Sequence, residues 1–387
     1  MMVVGVLTLA VAARGSVELG GLTSAMVGLG VACFGPLIGA AADRFGQRPA
    51  LLLSGAVNSV ALALLAWIAF TPLPDWAMLA GSFLVGATAP QISPMSRSRL
   101  VLIAQSKLPR TERPRTINAT LAYESAADEV VFVFGPVVVG LLATFFGAWA
   151  PIVGAAALTI VFVTAFALHR TSPPARTAEQ QRSGLAPVSE LWLPPLIVTV
   201  FGIFTVGLFF GSMLTSLTAF MQRQGAAEQA GLLYGVMGIG SALLAIGVTW
   251  FSPKFTLRYR WLAFSALLVG GGVLLQQAHD VPTMLLSLAV LGFGIGPLLV
   301  TLYGFGAART PAGRSATVMT MLGSGVIVGQ SLASAITGSV AESFGVEASL
   351  IVPLTSALLG LVAGAVNWRL TPSGPLPPPQ TGSVRVP

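Results

Sequence analysis

Charge is what this sequence has least of. Only 9% of its 387 residues are Asp, Glu, Lys or Arg, against about 25% in soluble domains, too little to cover so long a chain with a wetted surface. Cysteine is almost missing: the lone Cys33 excludes a disulfide framework and a cysteine-built metal site within one chain. Histidine is scarce too, and His169 and His279 fall in loops on opposite sides of the expected membrane, which excludes a histidine metal pair. No glycine-rich loop ends in Lys and Ser or Thr, so an ATP site of that kind is excluded. No polar segment is long enough for a catalytic domain. The expectation is a protein without cofactor or metal, and not an enzyme.

What fills the chain instead is apolar: hydrophobic residues make up 55% and mean hydropathy is +0.85. A helix needs about 20 apolar residues to cross roughly 30 Å of hydrocarbon. On that rule spans are expected at 21–42, 49–71, 76–104, 117–146, 149–168, 191–222, 227–251, 260–278, 282–306, 315–344 and 348–369. Residues 1–13 are apolar but short, without the basic leader or cleavage site of a signal peptide. The fold class expected is all-α, a polytopic membrane protein embedded in the lipid bilayer.

The net charge of +7 does not imply nucleic acid. With the 43–48 turn placed inside, only Arg14 and Arg223 of the 20 Lys and Arg residues fall outside. The remaining eighteen recur in short inner loops, which is the positive-inside signature. Polar residues 169–190 separate an N-terminal half (1–168) from a C-terminal half (191–370) and are expected to be a cytoplasmic linker. The Pro- and Gly-rich tail, 371–387, is expected to be disordered. The halves repeat each other. Met26-Val27-Gly28-Leu29-Gly30 returns 210 residues later as Val236-Met237-Gly238-Ile239-Gly240, and Leu84-Val85-Gly86 returns 206 later as Val290-Leu291-Gly292. Duplicated halves around a central pathway are a common transporter design.

The sharpest motif is the turn Gly39-Ala-Ala-Ala-Asp43-Arg44-Phe-Gly46-Gln-Arg48, wedged between two apolar runs. It resembles the loop between the second and third spans of the major facilitator superfamily of secondary transporters. That resemblance implies twelve spans in two six-helix halves, with the first one here incomplete, and alternating access to a midplane site. It also implies that Asp43 and its arginines lock the cytoplasmic ends together, Asp43 approaching the eleventh span near Ala312 and a basic partner, Arg97 or Arg99. A membrane transporter of a bacterial cytoplasmic membrane, acting as a monomer with both termini inside once the first span is complete, is the corresponding expectation. Without the resemblance, the turn reads as a topological inner loop with a solvated aspartate.

Three acids stand inside the fifth expected span. Glu124, Asp128 and Glu129 follow Asn118 by at most 11 residues, so Asp128 sits about 15 Å into the membrane. An acid there costs about 2.5–3.5 kcal/mol, while each Val, Leu or Phe recovers about 0.3–0.6. Such acids must face protein or water rather than lipid. Desolvated carboxylates beside one another suit proton uptake and release; pairing with Arg97 or Arg99, or contact with a cationic substrate, are the alternatives. Gly135-Pro136 marks an expected helix kink and resembles the Gly-Pro signature of drug/proton antiporters of the superfamily, although Val131 and Val139 stand where that pattern has glycines. Gln91, Phe201, Phe204, Met213 and Tyr303 are candidate pathway residues for a largely apolar cargo. The leading expectation is proton-coupled efflux of a small molecule. The alternatives are an uptake permease of the same fold and a non-transporting membrane sensor or assembly protein.

Overall fold

The computed structural model describes residues 2–109, 111–172, 185–225, 230–252 and 254–371. All regular structure among them is helical, as hydrocarbon requires of a backbone that has no water to bond. In chain order the helices are α1 (Met2–Arg14), α2 (Val17–Phe45), α3 (Gln47–Ala69), α4 (Asp75–Ala87), α5 (Ile92–Lys107) and α6 (Arg113–Phe146). Next comes α7 (Ala150–Leu158), which runs through a π-helical turn at Thr159–Val163 into α8 (Thr164–Leu168). They are followed by α9 (Pro194–Arg223), α10 (Ala230–Gly247), α11 (Leu257–Leu275), α12 (Val281–Ala308), α13 (Ser315–Phe344), α14 (Val346–Ser349) and α15 (Ile351–Leu370). Eight stretches among the described residues are by themselves long and apolar enough to cross a membrane: 19–45, 47–69, 150–168, 194–223, 233–250, 281–308, 315–344 and 346–370.

The expected span 76–104 is two helices rather than one. The chain leaves helical geometry between Ala87 and Ile92, around Pro90, because proline disfavours α geometry in the residue before it and has no N–H to donate. The tail beyond Thr371 and linker residues 173–184 lie outside the described residues, as do the side chains of Glu129 and Pro136. The far end of the linker is ordered as a 3₁₀ turn, Val188–Trp192.

Contacts group the helices into two units. The first comprises Met1–Arg99, Phe134–Leu185 and Gly313–Val328; the second comprises Leu100–Val133, Ala186–Ala312 and Gly329–Pro387. Thus α5, α6 and α13 each contribute to both. In the first unit, Val6 and Leu9 of α1 share a core with Leu62, Leu65, Met78 and Ile152. Helices α2 and α4 touch through backbone: a methyl at Gly30 would strike Phe83 O and Ala87 N, and one at Gly86 would strike the Val27 carbonyl. The second unit repeats that contact between α10 and α12. Gly240 lies against Gly292, whose own added methyl would strike the Met237 carbonyl. The two sequence repeats thus pack on each other once in each unit, small residues letting helix backbones meet.

Candidate functional site

The end of α2 is built to present a carboxylate. Gly46 donates its N–H back to Ala42 O at 3.0 Å and turns the chain at φ 98°, a conformation that side chains with a Cβ resist. One turn earlier Asp43, half-buried, meets the start of α13. Its Oδ1 accepts from Ala316 N at 3.0 Å, and its Oδ2 accepts from Thr317 N and from Thr317 Oγ1, each at 2.6 Å. These first-turn amides have no intrahelical acceptor and carry the positive end of the helix dipole. Gly39 lies directly behind: a methyl there would overlap Thr320 Oγ1 and the Ala316 carbonyl oxygen. The meeting point lies four residues beyond Ala312, because α13 starts at Ser315. Arg44 and Arg48 are exposed; Arg44 lies 5.2 Å from the Phe45 ring, and Arg48 Nε reaches Ala167 O at 3.4 Å.

Arg97 and Arg99 are both almost fully buried. Arg97 donates to Ser93 Oγ at 2.6 Å. Arg99 donates through Nε to Gln47 Oε1 at 3.2 Å and through Nη1 to Phe166 O and Thr171 Oγ1. Its guanidinium rests 3.8 Å over the Phe166 ring. It therefore ties α5 to the start of α3 and to the end of α8.

The acids lie on α6. Tyr123, Val130, Phe134, Leu141 and Phe145 form its exposed stripe, while Leu121, Ser125, Gly135 and Val139 are buried. Glu124 and Asp128 are half-buried, off the exposed stripe, and both interact with neighbouring groups. The helix continues unbroken through Gly135 and Pro136.

The pathway candidates divide. Gln91 is buried in the first unit, its amide donating to Ala89 O at 3.0 Å. Met213 and Tyr303 are buried in the second unit, whereas Phe201 is 44% exposed; Phe204 is half-buried with its ring 6.1 Å from that of Phe201.

Three polar side chains that hold helix ends carry weaker sequence signals. Arg309, directly after α12, donates through Nη1 to Pro195 O and Thr199 Oγ1 at 2.6 and 2.7 Å. Its Nη2 donates to Asn367 Oδ1 and Thr371 Oγ1 at 2.6 and 2.8 Å. Burial pulls this guanidinium down to about 10, so it remains charged at neutral pH. Sequence reading absorbs Arg309 into the loop count of basic residues. Asp280 caps α12, accepting from Thr283 N at 3.0 Å; the Asp-Val-Pro-Thr spacing is a readable start signal. Arg14 gathers the carbonyls of Ala69, Thr71 and Leu73 at the end of α3 and lies 3.9 Å from Asp75.

Residues 1–319 match the profile of the Major Facilitator Superfamily. The chain belongs to that superfamily. It is a multi-pass membrane transporter of two-half helical fold and not an enzyme. No curated protein matches it. Among solved structures, the transporter is similar to the human organic anion transporter MFSD10 (TETRAN), at 19% identity and TM-score 0.65 over 89% of this chain and 83% of that one. It is also similar to the E. coli fucose:proton symporter FucP, at 13% identity and TM-score 0.63 over 95% and 96%. At these identities the likeness shows the fold alone.

Proposed function

We infer that this transporter exports a small, partly apolar molecule in exchange for protons, by alternating access across a cytoplasmic membrane. The observation that carries the reading is the Asp43 carboxylate seated on the free amides of α13. A charged group at a helix N-terminus forms a contact that is either made or broken, which is what a two-state gate needs. The gate closes when α13 docks on Gly39 and Asp43 of α2, and it opens when that docking is released. Glu124 and Asp128, half-buried on one helix and away from its exposed stripe, supply the groups that exchange protons. The buried aromatic and sulfur side chains of Phe209, Phe210 and Met213 favour an apolar cargo. That the two similar structures carry an organic anion and a sugar with protons agrees with small organic solutes as the class.

The test uses proteoliposomes with an imposed pH difference and a panel of lipophilic cations, anions and sugars. Proton release coupled to movement of one panel member is expected, with coupling lost in Asp128→Asn or Glu124→Gln. Solute movement with no accompanying proton flux, in wild type and both variants alike, would reject the proton role. Accumulation with the proton gradient rather than against it would make the protein an uptake permease.

A further inference from the structure

We propose that the second unit holds one water molecule at a built site between α9, α11 and α15, bound by the hydroxyls of Thr205, Ser265 and Ser356. Those hydroxyls line a cavity whose space for a water-sized sphere is about 10 Å³, room for one such molecule. Phe209 and Leu268 close it among its other walls, and all of these residues are at most 4% exposed.

The hydrogen-bond count selects the occupant. Thr205 Oγ1 already donates to Gly202 O at 2.6 Å, and Ser356 Oγ already donates to Val352 O at 2.9 Å. Each has spent its proton and keeps lone pairs to accept with. Ser265 Oγ is fully buried and has no protein partner, so its proton is unspent, a state that buried hydroxyls rarely keep. A water accepting from Ser265 and donating to Thr205 and Ser356 satisfies all four groups with three hydrogen bonds, the usual number for an internal water. A sodium ion fits less well. No carboxylate lines the cavity, and Ser265 would still have nowhere to donate.

The surrounding packing keeps the cavity open. Trp261 of α11 is wedged against α15, its Nε1 donating to Gly360 O at 3.1 Å, with Gly202 and Gly364 packed against its indole ring. Gly360 leaves the space that the water needs: a methyl built on it would lie 3.0 Å from Thr205 Oγ1 and 4.0 Å from Ser265 Oγ. The glycine therefore serves the site as well as the helix contact.

The test measures thermal unfolding of the full-length protein in lipid nanodiscs for Ser265→Ala, Gly360→Ala and the double variant. With water bound, Ser265→Ala removes a satisfied donor and lowers Tm. On the Gly360→Ala background, where the methyl has expelled the water, the same change removes an orphaned hydroxyl and leaves Tm unchanged or higher. If Ser265→Ala leaves Tm unchanged or raises it in the otherwise wild-type protein, the site is dry and the proposal is overturned. Should Gly360→Ala fail to fold, that single comparison still decides. Sodium in place of choline chloride is expected to leave Tm unchanged; a rise with sodium would make the occupant a cation and reject water. Density at hydrogen-bonding distance from all three hydroxyls, in a structure fine enough to show ordered water, is the direct expectation, and ordered walls around an empty centre would refute it.

Discussion

Asp43 is asked to do two things at once: remain charged and remain within reach of three donors on α13. Replacing it with Asn keeps the shape and one good acceptor but removes the charge that meets the helix dipole. That interaction is worth about 1–2 kcal/mol in a partly buried setting, enough to move a two-state balance roughly tenfold. Asp43→Asn should therefore slow transport about tenfold in proteoliposomes with little change in Tm. A wild-type rate in Asp43→Asn would show that the contact does not set the balance. Asp280 offers a different single-residue test. Hydrogen bonds from the Thr283 side chain and backbone hold its carboxyl below the ordinary value of 3.8. A depressed folded-state value means that the cap stabilises fully above pH 3.8 and that its contribution is lost as pH falls through the lower, folded value. The Tm advantage of wild type over Asp280→Ala should thus be flat from neutral pH down to mild acid and shrink only below pH 3.8. Shrinkage already at pH 5 to 6 would contradict this. Of these two residues, the position of Asp43 was legible because Asp, Gly and Arg crowd a break between apolar runs. The resemblance pointed to the partner helix, near Ala312, but not to the donors themselves, since nothing in local spacing says that Thr317, 274 residues away, lies in the first turn beneath that carboxylate.

At the scale of elements, each unit has an arginine that fastens helix ends using neutral acceptors and a ring. Arg99, midway along α5, joins that helix to the start of α3 and the end of α8 and lies over Phe166; Arg309 joins the ends of α9, α12 and α15 and lies 4.4 Å from the Phe305 ring. Both also reach a threonine just past the closing helix of their neighbourhood, Thr171 and Thr371. A planar fork with five donors can reach acceptors spread around two nitrogens, whereas the three donors of a lysine leave from a single point. Arg309→Lys should therefore fail to rescue Arg309→Ala, each variant losing about 3 kcal/mol from acceptors left unmet in a buried site. A thermal-unfolding series reads this directly, and full recovery by lysine would show that charge alone matters. The spans themselves were legible from apolar length, within a few residues for most of the helices. Three features were not. The break at Pro90 divides a stretch that hydropathy reads as continuous. The π-helical turn at Thr159–Val163, whose Val163 packs against Gly55, leaves no mark in apolar character. The basic residues were legible as topology but not as fasteners, because counting charges by loop says nothing about which carbonyls surround each one.

For the molecule as a whole, the proposed gate requires α13 to leave α2 in every cycle, and this can be tested without knowing the cargo's chemistry in advance. The meeting surface runs from Asp43 with Thr317, through Gly39 with Thr320, to Gly35 with Ser324. It spans about two helical turns, along which Asp43 and two glycines of α2 meet hydroxyl-bearing residues of α13. Such a face is tight when closed, yet it buries few large apolar groups, so parting it costs little compared with parting a leucine seam. With Cys33 replaced by Ser, the pair Asp43→Cys and Thr317→Cys can be joined by a short thiol-reactive cross-linker and released with reductant where the spacer is cleavable. Cross-linking should stop proton-coupled movement of whichever panel compound is carried, and reduction should restore it to the rate of the unlinked double variant. A control pair within the cap of α12, Asp280→Cys with Thr283→Cys, joins residues of a single helix and should leave transport unaffected. Continued transport by the cross-linked Asp43/Thr317 pair would mean that these helices need not separate, and the proposed gate would then be a permanent strut.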